Sequence, residues 1–408
     1  MNRRVVVTGM SGVTAFGNDW QQIEPKLRAC ENATIYMQDY ELYDGLNTKL
    51  AAPIESFTLP KHYTRKKTRA MGRVSKLSTL ATENALIQAG LLDNNVLTNG
   101  QTGIAYGSST GSTPAISAFG VMLNEKSTRA ITATTYVQMM PHTTAVNVGL
   151  FFGLRGRVIP TSSACTSGSQ AIGYAYEAIK HGYQTVMVAG GAEELCPTES
   201  AVFDTLFATS LKNDTPKATP RPYDTERDGL VIGEGAGTLV LEEYDHAVAR
   251  GAKIYAEVVG FASNCDAAHV TQPQKETMQL CMEMALQQAN LSPSDIDYIS
   301  AHGTATEKGD IAESQATASI FGNDTPISSL KSYLGHTLGA CGAIEAWLSL
   351  EMMHNGWFNP TLNLDNVDPE CGDLDYIRGE GRNLDCQYIM SNNFAFGGIN
   401  TSIIFKRV

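Results

Sequence analysis

The feature that most restricts the fold is an internal echo. Asn84–Gly107 reads as a helix end (ALIQAGL), a polar gap and a strand (TGIAYG). Met284–Gly303 repeats that order with ALQQANL and IDYISAHG. Further along, Ser163–Ile179 and Lys331–Leu350 each pass from small residues around a chemically capable side chain into an apolar helix. The same order twice in one chain is the mark of a duplicated α/β unit. Alternating strands and helices predict parallel sheets covered by helices on both faces. The halves are placed at 1–250 and 251–408. Their equivalent strand ends then face each other across one cleft, where sites in such folds lie.

Between these anchors the pattern predicts a first strand over 3–9, a glycine-containing turn over Met10–Asn18 and a helix over Asp19–Glu31. Residues 32–60 read as irregular. Further strands are expected at 102–106, 184–189, 239–242 and 253–261, and 208–229 reads as a long polar surface excursion. A length of 408 residues exceeds one ordinary core, in keeping with duplication. The net charge of −12 argues against non-specific nucleic-acid binding. No apolar run reaches the length of a membrane span. The 8 cysteines form no CxxC pair, so no zinc or redox motif is expected. Scattered thiols behind a start that does not read as a signal peptide fit a reducing cytoplasm. Against the acidic background, Lys61, Arg65, Lys66, Lys67, Arg69, Arg73 and Lys76 form a dense basic cluster, read either as a solvated face or as a landing site for an acidic partner.

The chemistry concentrates in four stretches. Cys165 stands at a predicted helix N-terminus, where the helix dipole favours the thiolate. A lone cysteine there is ordinarily a packed thiol. His302 ends a strand in Ala301-His302-Gly303-Thr304, and Lys331 and His336 flank a small-residue loop before an apolar helix, with Glu345 as a candidate partner for the lysine. Asn392–Asn400 carries Gly397 and Gly398, which free the backbone for tight turns or amide donation. Each stretch alone is weak. A thiol, two histidines and a lysine at matching strand ends of two halves suit acyl transfer, where developing oxyanions need preorganised donors.

These motifs resemble the β-ketoacyl-acyl carrier protein synthases, condensing enzymes of the thiolase superfamily, over essentially the whole chain. The likeness is closest to the class I type, through Glu193-Glu194-Leu195-Cys196, Phe203-Asp204, Asn213-Asp214-Thr215-Pro216 and the run from Tyr223 to Gly229. It implies a thiolase-like fold, with the duplicated halves layered α-β-α-β-α. It implies a Cys165–His302–His336 triad, with Lys331 organising His302, and a decarboxylative Claisen condensation. Cys165 would take the acyl chain, its thioester oxygen held by the amides of Cys165 and Phe396. The two histidines would hold the malonyl thioester as carbon dioxide leaves. By the same resemblance Thr304 and Thr306 hold the phosphopantetheine arm, and Phe396 gates the two substrate routes. Thr110, Met140 and Phe203 line the acyl pocket, and Arg65, Lys66 and Arg69 meet an acyl carrier protein. No bound cofactor is implied, since phosphopantetheine arrives on its carrier. A monovalent cation, Na+ or K+, is implied near Ser300, Glu345, Ser391 and Asn392.

The family dimer, with a second copy or with a ketosynthase-like paralogue, pairs through the strand near 157–163. Three positions depart from the family pattern: Ser300 replaces Asn, Ala395 replaces Gly, and Thr110 replaces a smaller or apolar residue. The last alters how deep an acyl chain can reach. The start, Val7–Gly17, resembles synthases of aryl-polyene pathways. Two other readings share the fold. A degradative thiolase would need a second catalytic cysteine, such as Cys341 or Cys371. A chain-length-factor-like subunit would lack the nucleophile.

Overall fold

The computed structural model describes residues 3–408. Among them, one sheet contains 11 strands. In chain order these are β1 (Val5–Val13), β2 (Thr102–Gly107), β3 (Val158–Thr161), β4 (Val186–Glu193), β5 (Gly235–Glu243), β6 (Ala256–Cys265), β7 (Tyr298–Ser300), β8 (Pro326–Ser328), β9 (Asp375–Tyr376), β10 (Tyr388–Ala395) and β11 (Ile399–Arg407). The spatial order is β9-β8-β7-β10-β11-β6-β1-β5-β4-β2-β3.

That order contains the echo twice. On one side β2 lies parallel to both β3 and β4, β5 runs antiparallel to β4, and β1 antiparallel to β5. On the other, β7 lies parallel to β8 and β10, β11 antiparallel to β10, and β6 antiparallel to β11. The sheets are therefore mixed, and the expectation of purely parallel sheets is corrected. In the second half β10 and β11 are joined by the short turn 396–398, which antiparallel pairing allows and parallel pairing does not, whereas in the first half β4 and β5 are joined by the long stretch 194–234. The repeats join where Val5, Val6 and Val7 of β1 pair with Val258, Glu257 and Ala256 of β6.

The helices around the sheet are α1 (Arg73–Gln88), α2 (Thr143–Phe152), α3 (Ser167–Lys180), α4 (Pro197–Asp204), α5 (Lys275–Ala289), α6 (Glu307–Phe321) and α7 (Cys341–Asn355). Helix α1 covers β1 and β5 from outside, with α2 against it, and α5 covers β6 and β11, with α6 against it. Helices α3 and α7 pack together between the two sheet halves. Their sequences explain that place. Positions 341–350 of α7 are all buried, the one charged residue among them, Glu345, being paired with Lys331, and a helix buried on every face must be enclosed. Gly168 permits the contact: a Cβ there would lie 3.0 Å from the backbone of Ala343 and Gly339. The result is the layered α-β-α-β-α arrangement of the thiolase-like fold.

Two further expectations are corrected. The first strand runs on to Val13, because Met10 and Val13 are buried and pair with β5, so the turn begins only after them. The stretch 208–229 is not a surface excursion throughout. Its centre, Thr219–Asp224, is buried, and its charges are internally matched: Arg221 bonds Asp224 at 2.9 Å and Arg227 bonds Asp368 at 2.6 Å.

Candidate active site

Strand β3 delivers the chain to a tight turn at Ala164–Thr166 before α3 begins. Ala164 takes φ +49°, a left-handed conformation that non-glycine residues rarely adopt and that aims the next side chain into the cleft. Cys165 is 3 % exposed. In the other half, β7 ends before His302, and the loop after β8 carries Lys331 and His336. The Cys165 sulfur and one ring nitrogen of each histidine lie within 4.8 Å of one another. His336 Nε2 is 3.1 Å from Cys165 Sγ, and the two imidazole rings stand at 5.2 Å and 87°.

Hydrogen bonds assign the tautomers. The Leu338 amide donates to His336 Nδ1 at 3.2 Å, so that nitrogen accepts and Nε2 carries the hydrogen. Asn393 Nδ2 donates to His302 Nδ1 at 3.3 Å, which leaves His302 Nε2 as donor as well. Asn393 is itself oriented by Glu345 Oε2, at 2.7 Å. Burial, reinforced by the Lys331 charge, holds both imidazoles well below the usual histidine range, so both are neutral. The pair therefore presents two uncharged N–H donors to one point.

Lys331 and Glu345 form a buried ion pair at 2.5 Å. Burial alone would lower the lysine, but Cys341 and Glu345 outweigh it and raise it above its ordinary value. Glu313 accepts from the amides of His302 and Gly303 at 2.6 and 2.7 Å, fixing the loop, and burial pushes its carboxyl up to about 7. The thiol departs from expectation. Burial pushes Cys165 up to about 11, although Lys331 and the amides of Phe396 and Cys165 that face the sulfur pull the other way. At rest the group is a thiol, because desolvation outweighs the favourable field at the helix start.

Cys165, His302, His336, Thr304, Thr306, Phe203 and Phe396 share one solvent-open cleft of about 340 Å³. Thr304 and Thr306 bond each other at 2.8 Å, and the Phe203 and Phe396 rings meet at 4.9 Å. Thr110 and Met140 do not line this cleft. Thr110 is instead tied to Glu193 and Glu199, and the Met140 backbone packs on Gly111. Arg65, Lys66 and Arg69 are exposed on and beside a single helical turn, and no ion pair engages them among the described residues. Arg73 of the same cluster is committed to Glu234 at 2.7 Å.

The residues expected near a cation do not converge. The register puts Ser300 beside Ser391 on the face toward α7, whereas Asn392 points its amide at Met282 on the opposite face. The Lys331 ammonium already balances Glu345. Ser300 Oγ and Asn392 Oδ1 are buried without protein partners, but they lie on different faces of the sheet.

Three contributors had escaped individual assignment: Asn393, Glu313 and the Cys341 thiol, which donates to the Cys165 carbonyl at 3.2 Å. The signal for Asn393 was the run of three polar residues, Ser391-Asn392-Asn393, inside a strand with apolar flanks.

Comparison with known proteins agrees with this arrangement. The family model for the β-ketoacyl synthase N-terminal domain matches residues 2–247, and that for the C-terminal domain matches residues 255–365. The chain is 38 % identical to 3-oxoacyl-[acyl-carrier-protein] synthase 2 of Vibrio harveyi, over 100 % of this chain and 99 % of that one. It superposes on a crystal structure of a β-ketoacyl synthase from Burkholderia phymatum with a TM-score of 0.98 and 60 % identity, and on the ishigamide ketosynthase/chain length factor with 0.91 and 28 %, each over 100 % of both chains. The chain belongs to the β-ketoacyl synthase family.

Proposed function

We propose that this protein is a 3-oxoacyl-[acyl-carrier-protein] synthase, an acyltransferase that extends an acyl chain by decarboxylative Claisen condensation. The observation that carries the reading is the convergence of Cys165 with two neutral N–H donors in one cleft. In the first half-reaction the Cys165 sulfur attacks the acyl thioester, the carbonyl oxygen is held by the amides of Cys165 and Phe396, and the pantetheine sulfur leaves with the proton. In the second, His302 and His336 donate to the malonyl thioester oxygen while the bond to the carboxylate breaks. Carbon dioxide leaves and an enolate remains. The enolate carbon attacks the acyl-Cys165 carbonyl, and the cysteine sulfur departs and regains a proton. Preorganised donors at both oxygens carry most of the acceleration.

Thr304 and Thr306 hold the pantetheine arm in this reading, and Lys331 keeps Glu345 and Asn393 in place so that His302 stays a donor. Arg65, Lys66 and Arg69 receive the acidic carrier protein. The protein works as a dimer in the cytoplasm, its edge strand β3 pairing with a second copy or with a chain-length-factor paralogue, the kind of partner named beside the ketosynthase in the ishigamide structure. The exposed Val158 on that strand supports the pairing. Neither a thiolase nor a non-catalytic subunit is favoured. Cys341 spends its hydrogen on the Cys165 carbonyl, and the nucleophile position is filled.

The deciding experiment is intact-mass analysis with acyl- and malonyl-carrier proteins. The expected result is an acyl adduct on Cys165 that disappears when malonyl-carrier protein is added, with a 3-oxoacyl product longer by two carbons. An adduct at any other residue overturns the assignment.

A further inference from the structure

A buried carboxylate needs a partner of opposite sign, and a protein can meet it with a metal cation or with a cation of its own. Glu345 is 2 % exposed, and it is the one carboxylate among the four residues expected around a monovalent cation, Ser300, Glu345, Ser391 and Asn392. Both of its oxygens are taken. Oε1 meets the Lys331 ammonium at 2.5 Å, and Oε2 accepts from Asn393 Nδ2 at 2.7 Å. Lys331 is also 2 % exposed, so its charge is balanced inside the protein rather than by water.

Charge and direction both close this pair to a second cation. With both imidazoles neutral, Lys331 and Glu345 already sum to zero. Glu313, the next carboxyl facing the ammonium, is spent on the amides of His302 and Gly303. A Na+ or K+ beside Glu345 would face the ammonium and leave a net positive charge in a buried site, which is costly. Ser300 Oγ and Asn392 Oδ1 have no protein partners, but they lie on opposite faces of the sheet and cannot close on one ion.

What the ammonium holds leads to the chemistry. Lys331 fixes Glu345, Glu345 orients Asn393, and Asn393 Nδ2 donates to His302 Nδ1 at 3.3 Å, which leaves the Nε2 hydrogen for the substrate. We infer that the Lys331 ammonium stands in place of the monovalent cation, so that the His302 donor is set by a cation carried on the chain and the reaction runs independently of Na+ and K+. Lys331 is then a positioning residue that acts on His302 through Glu345 and Asn393. This rests on the condensing-enzyme reading.

The test uses the full chain in chloride salts of Na+, K+, NH4+ and tetramethylammonium, at one ionic strength of about 0.1 M. Carbon dioxide release from malonyl-carrier protein, in the presence of acyl-carrier protein, and the thermal unfolding midpoint are read separately. Tetramethylammonium is too large for a buried site and serves as the reference. The wild-type protein gives the same rate and the same midpoint in all four salts. Lys331→Ala opens a space for a small cation at Glu345. In tetramethylammonium its rate falls about tenfold or more, the cost of losing a buried hydrogen-bonded partner. NH4+, Na+ or K+ restores part of that rate and raises the midpoint, as binding to the folded state requires. A higher rate or midpoint of the wild type in Na+ or K+ than in tetramethylammonium overturns the inference, and this comparison decides alone if the alanine variant does not fold. A folded Lys331→Ala protein whose rate and midpoint ignore every small cation overturns it too. Failure of the wild type to release carbon dioxide in any salt overturns the condensing reading instead, while the midpoints still test the cation.

Discussion

The turn that carries Cys165 and its counterpart in the second half differ in a single choice. Ala164–Thr166 precedes α3 with φ +49° at Ala164, and Leu338–Ala340 precedes α7 with φ +47° at Leu338. The residue after the strained position is Cys165 in one and Gly339 in the other. Gly339 offers no side chain; its amide holds Glu193, and a Cβ there would fall 2.7 Å from that carboxylate. Likewise Asn393 is the sixth residue of β10, the register that Gly191 holds in β4, as Tyr388–Ala395 and Val186–Glu193 occupy equivalent strands. Duplication supplied the same backbone twice. The first half kept a nucleophile at the turn, and the second kept the donors around it, so neither half is complete alone.

If the two halves divide the labour in this way, single substitutions separate the steps. Cys165→Ala removes acyl loading and condensation altogether, while carbon dioxide release from malonyl-carrier protein persists. His302→Ala does the opposite: loading of Cys165 continues, and decarboxylation falls by about 10²- to 10³-fold, the usual cost of one oxyanion donor. Radiolabelled carbon dioxide release and intact mass read the two steps independently. Loss of both in the His302 variant would mean that the halves do not act separately.

The same division sets opposite pH profiles. Cys165 is raised to about 11, so its thiolate fraction below that value grows about tenfold per pH unit. Alkylation of Cys165 by iodoacetamide therefore rises steeply from pH 7 to 9. The histidines are lowered by burial and by Lys331, so they stay neutral and stay donors across that window. Decarboxylation by Cys165→Ala is accordingly flat from pH 7 to 9. A plateau in alkylation would place the helix field above desolvation in importance.

Asn393 tests the second half at smaller scale. Asn393→Ala frees His302 Nδ1 and lets the ring exchange tautomers, so part of the population no longer donates through Nε2. The loss of one hydrogen bond corresponds to a fall of about tenfold in decarboxylation. Cys165 loading should be unaffected, which distinguishes a positioning role from a general loss of structure.

What could be read in advance follows from the range of the forces involved. The echo, the nucleophile turn and the Lys331–His336 loop were legible because each is encoded within a few consecutive residues. Strand direction was not: β5 and β11 carry apolar runs like their parallel neighbours, and the long stretch 194–234 before β5 leaves either direction open. The burial of 219–224 was hidden because Arg227 and Asp368, its neutralising pair, are 141 positions apart. The state of Cys165 was misjudged because local sequence reports the helix start but not the depth of burial. Thr110 and Met140 were placed in the pocket by resemblance, whereas the carboxyls that hold Thr110 away from the cleft come from β4 and α4. The cation ligands failed for a similar reason, since neighbours in a strand alternate faces and Ser391 and Asn392 point apart.

The smallest expected effect concerns the outer surface of the first half. Arg65, Lys66 and Arg69 are exposed and free of ion pairs among the described residues, unlike Arg73, whose guanidinium is spent on Glu234. Charges so placed steer an acidic partner rather than hold the fold, and exposed pairs contribute about 0.2–1 kcal/mol each. Reversing all three to Glu should raise KM for acyl-carrier protein several-fold, leave kcat near its wild-type value and leave loading from acyl-pantetheine untouched. The difference between wild type and variant should shrink as salt approaches about 1 M, where the screening length falls to about 3 Å. An equal loss with acyl-pantetheine would show instead that the cluster supports the neighbouring helix, and a loss insensitive to salt would show that packing, not charge, governs docking on this half.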